Sequence, residues 1–160
     1  MKWVTRERPR IDRVACAWLI RRFIDPEPEF LFVPNDQVQS VAERENATIF
    51  HVGGGKVGRT PQETGFEALI RYFNVAPEDA ALQRVAHIVH GADVFGADAP
   101  PESAGLRAIM LGWVDVYADD HELIAAAAPA YESLYQWCRR QDRARQPERP
   151  TGVACDNRRS

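Results

Sequence analysis

The sequence contains no unbroken apolar run of the roughly 18 residues that a membrane helix requires. Its opening segment, Met1-Lys2-Trp3-Val4-Thr5-Arg6-Glu7-Arg8, has none of the apolar core that marks a secretory leader. A cytoplasmic protein without a membrane partner is therefore expected. Cysteine is scarce. Cys16, Cys138 and Cys155 are odd in number and far apart, which excludes a disulfide framework and a zinc knuckle. Cys16 and Cys138 fall inside apolar helical patterns and are expected as buried thiols. A basic face is missing too. The net charge of −3 divides unevenly, because residues 139–160 carry seven arginines against three acids (Asp142, Glu148, Asp156), a balance of +4 that leaves the body at −7. An acidic body disfavours nucleic acid, although the basic arm could still meet DNA or an acidic partner.

What is present is mostly helix. With no internal repeat and 160 residues, the chain suits one domain. Strands are expected at residues 2–5, 29–33 and 48–52, the last rich in β-branched and aromatic residues. A helix over 11–24 has apolar residues around nearly its whole circumference, which marks a buried central helix. Shorter helical patterns come after it: 36–44, one behind Thr64, one from Pro77-Glu78-Asp79 stopping at His90-Gly91, and one through Leu106–Tyr117 in which Gly105 and Gly112 allow close approach of a neighbour. The last starts at Asp119 and is kinked or restarted at Pro129. From about Gln141 the apolar pattern dissolves, so residues 1–140 read as the domain and 141–160 as a basic, disordered tail. The class is α+β, mostly helical, with five to six helices and a small sheet of about three strands.

The polar signals each have two readings. Gly53-Gly54-Gly55-Lys56-Val57-Gly58-Arg59-Thr60 comes directly after a strand, so its amides with Lys56 and Arg59 form either an anion-binding nest or a plain surface loop. It is not a P-loop, since Lys56 precedes Val57 and Gly58 rather than a Ser or Thr opening a helix. Thr64 and Glu67 have capping-box spacing. Asp119-Asp120-His121-Glu122 concentrates carboxylates and an imidazole that suit a divalent metal or acid–base work. A helix cap complementing the dipole explains the same residues and is favoured. His90 fits a helix C-terminus, whereas Asp93 does not, because a carboxylate there opposes the dipole. The arginines of the first helix, Arg13, Arg21 and Arg22, together with Asp12, are distributed around it. Either they tie into a carboxylate network with Glu67, Asp93 and Asp120, or they line a pocket for an anionic ligand.

The run from Trp3 to Pro26, including Arg8-Pro9-Arg10-Ile11-Asp12-Arg13-Val14-Ala15-Cys16-Ala17-Trp18-Leu19, resembles the opening of the ChrB-type chromate-resistance domain. Phe30-Leu31-Phe32-Val33-Pro34, Gly65-Phe66-Glu67-Ala68-Leu69, Gly91-Ala92-Asp93, Ala118-Asp119-Asp120-His121-Glu122-Leu123 and Leu134-Tyr135-Gln136-Trp137-Cys138-Arg139 extend the likeness over residues 2–140. The resemblance implies a regulator or accessory protein of chromate efflux, or an iron-dependent superoxide-removing protein. It carries over Glu67, Asp93, Asp120 and His121 as candidate ligands for iron, manganese or zinc. His121, Glu67 and Asp93 would be the catalytic candidates, and Arg13, Arg21 and Arg22 the anion-binding partners. One departure cuts against the metal. Arg59-Thr60 and Thr64 stand where the family leads one to expect a histidine pair and a cysteine, and Lys56 stands where an acid is expected. A cation in place of an imidazole repels a metal ion. Three readings are open: a metal-binding redox protein, an enzyme that takes a small organic or inorganic anion with Lys56 and Arg59, and a regulatory binding module that uses the tail.

Overall fold

The computed structural model describes residues 1–53, 57–58 and 60–145. Its sheet is wholly parallel, in the order β2-β1-β3. The central β1 (Lys2–Arg6) pairs with β2 (Glu29–Val33) on one side and β3 (Thr48–Ile49) on the other. Parallel neighbours need crossover connections, here α1 (Ile11–Leu19) and α2 (Val38–Glu45). Successive side chains of β1 point to opposite faces. Trp3 enters the main core with α1, and Val4 packs with Val38, Val41 and Ala42 of α2. The two crossovers therefore cover opposite faces of the sheet.

The remaining helices are α3 (Gly65–Phe73), α4 (Ala80–Val94), α5 (Pro101–Val116) and α6 (Asp120–Arg145). The α+β class, the six α-helices and the three strands are as expected among the described residues. All nine residues of α1 are buried, and it touches α3, α4, α5 and α6, so it is the central helix its composition requires. Tyr131 of α6 donates from its buried hydroxyl to the Ile11 carbonyl at 2.9 Å, tying the two together. Cys16 and Cys138 are buried free thiols. No described helix is long and apolar enough to cross a membrane.

Several local expectations are corrected. Beyond Leu19 the first helix widens into a π-helical turn, Ile20–Ile24, closed by Asp25 N–H on the Ile20 carbonyl at 2.8 Å. The wider turn rotates its residues away from the 100° spacing, so Arg21 and Arg22 are exposed rather than buried. α4 does not stop at Gly91 but continues to Val94. Gly91 serves packing: a Cβ there would lie 2.5 Å from Ser103 Oγ and 2.9 Å from Ala99 Cβ. Gly105 and Gly112 show the reverse, since a Cβ on either meets nothing within 4 Å. β3 is shorter than the expected strand. α6 continues through Pro129 and on to Arg145, past the point where its apolar pattern fades. The rest of the expected tail, residues 146–160, lies outside the described residues.

Candidate functional site

The most buried charged residue among those described is Asp12, in the first turn of α1 and 1% exposed. Its oxygens accept from the N–H of Gly65 at 2.6 Å and of Phe66 at 2.9 Å, the first two residues of α3. The Asp12 carboxylate thus sits on the positive end of α3, beside the Thr64–Glu67 capping box that supplies the other first-turn bonds. His51 Nε2 approaches Asp12 Oδ2 to 2.7 Å, without the straight N–H···O line of a full hydrogen bond. Burial pushes the Asp12 pKa up, but His51 and the two N–H groups together outweigh it and hold the carboxyl below its ordinary 3.8. Cys16, one turn along, lies 3.7 Å from Asp12 Oδ1. Burial first, then the Asp12 charge, push that thiol well up, so it is an inert packing group.

His51 has a φ of 59°, an uncommon conformation for a residue with a side chain. Its ring lies against α3 so closely that a Cβ on Gly65 would fall 2.5 Å from His51 Cδ2. Only glycine at position 65 leaves room for this imidazole.

Beside His51 is a cavity of about 420 Å3 lined by Arg6, Arg13, Asn35, His51 and Thr60. Arg6 ends β1, Asn35 lies just past β2 and His51 just past β3, so the cavity lies at the carboxyl ends of all three parallel strands. The chain leaves β1 toward β2 over one face and returns past β1 to β3 over the other. Ligands of open parallel sheets bind at such a reversal, outside the carboxyl ends. Arg13 is 6% exposed, yet among the described residues its guanidinium donates only to the carbonyls of Arg6 (2.7 Å), Glu7 (3.2 Å) and Arg8 (3.2 Å). Burial foremost, then the charges of Arg6 and Arg10, lower its pKa to about 10 against partial compensation from Cys16 and Asp120. Arg6 is exposed and makes no side-chain bond among the described residues. Among the described residues, therefore, the cavity carries positive charge that no carboxylate bond neutralises, the condition that favours a bound anion.

The residues singled out in the sequence divide between this cavity and other places. Arg13 lines it and Asp12 stands behind it. Lys56 and Arg59 lie outside the described residues. Arg21 stacks over Phe30, and Arg22 pairs with Glu132 of α6 at 3.3 Å rather than with Glu67 or Asp120. Glu67 completes the capping box and contacts His90 Nδ1 at 2.9 Å. Asp93, in the last turn of α4, adds its charge to those raising the Cys16 thiol and the Tyr131 hydroxyl. Asp120 Oδ2 accepts from Arg8 N–H at 2.9 Å, and His121 is exposed with its ring edge-on to Phe32. Among the described residues no three His, Cys, Asp or Glu side chains converge as metal ligands, so Glu67, Asp93, Asp120 and His121 as placed do not fit one metal centre. His51 and Arg6 were missed by sequence reasoning. The available signal was a histidine at the end of the third strand, where strands separated by helices imply a parallel sheet.

Residues 3–138 match the protein family described as ChrB, C-terminal domain. Protein ChrB of Cupriavidus metallidurans is 34% identical over 140 residues, which cover 84% of this chain. The matched region is only 40% of that relative's length. No solved structure matches the chain. With nearly the whole folded region covered, the chain belongs to the ChrB C-terminal-domain family.

Proposed function

We propose that this protein serves chromate and oxidative-stress resistance by binding a small oxyanion in the cavity between Arg6, Arg13 and His51. The reading is carried by Arg13, a buried guanidinium that lines the cavity and has, among the described residues, only backbone carbonyls as hydrogen-bond acceptors. The anion completes it. Arg6 supplies a second planar fork for tetrahedral oxygens, and His51, braced by Asp12 and Gly65, supplies a fixed imidazole. Nothing in this reading requires a metal as the anion's partner. Lys56 and Arg59, which replace residues of metal-binding type in the family pattern, add cationic character to the same stretch of sequence.

Calorimetric titration of metal-analysed protein with chromate and with sulfate tests this. Saturable binding is expected in the wild type. It should weaken about tenfold or more in Arg6→Ala, since a charge-assisted hydrogen bond contributes about 1.5–3 kcal/mol. His51→Asn should weaken it as well. Affinity unchanged in Arg6→Ala, or binding that appears only after iron, manganese or zinc is added, would overturn the reading. A preference for small carboxylic acids over both inorganic anions would move the function to an organic substrate in the same cavity.

A further inference from the structure

A second and larger cavity, of about 630 Å3, lies between α3, α4 and the loop after α4. Its walls include the apolar side chains of Ile70, Ala86, Val94 and Ala97, and its polar groups include Glu67 and His90. Its character is opposite to that of the oxyanion cavity. The carboxylates of Glu67 and Asp98 line it, and its arginine, Arg71, is locked to Glu63 by two bonds of 2.9 Å. An inorganic anion has little to gain there.

Glu67 and His90 are arranged for a different ligand. Glu67 Oε2 accepts from Thr64 N–H at 2.8 Å and Thr64 Oγ1–H at 2.9 Å, and it lies 2.9 Å from His90 Nδ1. An oxygen that already takes two donated hydrogens is an acceptor, so Nδ1 carries the proton of the third contact. In the neutral ring Nε2 is then a bare acceptor, the tautomer that a carboxylate-braced general base presents. The capping box fixes Glu67, Glu67 fixes the imidazole, and the imidazole lines a cavity of mixed apolar and polar walls, His87 among them, large enough for a small organic molecule.

We propose that this cavity is a binding site for a small organic molecule with an apolar body and one weakly acidic hydroxyl, of the phenol or enol class. His90 Nε2 accepts the hydrogen bond of that hydroxyl, and Glu67 is the positioning residue behind it. The site is independent of the oxyanion cavity.

Nitrogen NMR of the histidine rings, with p-cresol as the probe, tests it. The wild type should show His90 as the Nδ1–H tautomer. Its Nε2 signal should move saturably with a Kd on the order of a millimolar, as expected for so small a ligand. Ala97 is exposed, so Ala97→Phe fills the cavity without touching the core and should abolish the shift. Glu67→Gln retains a capping-box residue, since glutamine serves at that position. It should release the Nδ1–H tautomer and weaken p-cresol several-fold. An Nε2–H tautomer in the wild type, no saturable shift, or a shift that survives Ala97→Phe would sink the proposal. So would loss of p-cresol binding in Arg6→Ala, which would put the probe in the other cavity.

Discussion

Asp12 is a carboxylate removed from water, and its environment replaces every hydration contact with a specific one: two helix N–H groups, an imidazole and a thiol. Replacing it with asparagine keeps the shape and removes the charge. Asp12→Asn should lose about 1–3 kcal/mol at neutral pH, because the single acceptor oxygen of asparagine leaves one of the buried Gly65 and Phe66 N–H groups unpaired. The sign of the pH dependence is set by the depressed folded-state pKa. The Asp12 contribution is complete well above its ordinary 3.8 and disappears as the pH falls through 3.8 toward the lower folded value. Urea denaturation should therefore show the gap between wild type and Asp12→Asn shrinking as the pH is lowered to about 3. A gap of constant size would mean that the carboxylate's charge is irrelevant to folding. None of this could be read locally. The Gly65 amide is 53 residues from Asp12 in sequence, and an aspartate in a first turn looks like ordinary dipole complementation until α3 is docked against it.

The glycines show how one residue type carries opposite meanings on different helices. Gly91 lies where α4 meets the start of α5, against a serine whose hydroxyl is itself committed to the Ile88 carbonyl at 2.8 Å. Gly91→Ala should therefore cost about 1–3 kcal/mol by overpacking. Gly105→Ala and Gly112→Ala, on the open side of α5, should each gain about 0.5–1 kcal/mol, since nothing opposes the methyl and helix interiors favour alanine. Thermal unfolding followed by circular dichroism separates the two cases, and a stabilised Gly91→Ala would refute the packing account. At this scale much was legible. The capping box at Thr64 and Glu67, the strand over Glu29–Val33 and the buried first helix all rest on neighbours in sequence, where propensity and periodicity act. Tertiary contact decided the rest. The π-helical turn that exposes Arg21 and Arg22, and the packing role of Gly91, leave no mark on a periodicity count. His51 and Arg6 gain meaning only once the strands are known to be parallel and their carboxyl ends adjacent.

Across the whole molecule, the sheet and the helical layer meet at the loop between β1 and α1, and Arg8 is the joint. Its backbone has a φ of 53°, its N–H donates to Asp120, and its guanidinium reaches the carbonyls of Val114 at 2.7 Å and Ala118 at 2.9 Å. A cation on the last carbonyls of α5 is favoured by that helix's dipole. The end of β1 and the same loop offer the Arg6, Glu7 and Arg8 carbonyls to Arg13, so Arg8 stands between the α5–α6 junction and the cavity beside His51 without lining that cavity itself. Accepting from the Arg8 N–H gives Asp120 a structural role. Arg8→Ala should lower stability by about 1 kcal/mol, a modest loss because the side chain is partly exposed. It should also weaken chromate several-fold, since Arg6 and the carbonyls around Arg13 lose their anchor. Asp120→Asn should reproduce the weaker binding in smaller measure and leave the metal content of the purified protein unchanged. Should Asp120→Asn instead strip a bound iron, manganese or zinc ion while Arg8→Ala does not, Asp120 would be a metal ligand and the clamp account would fail.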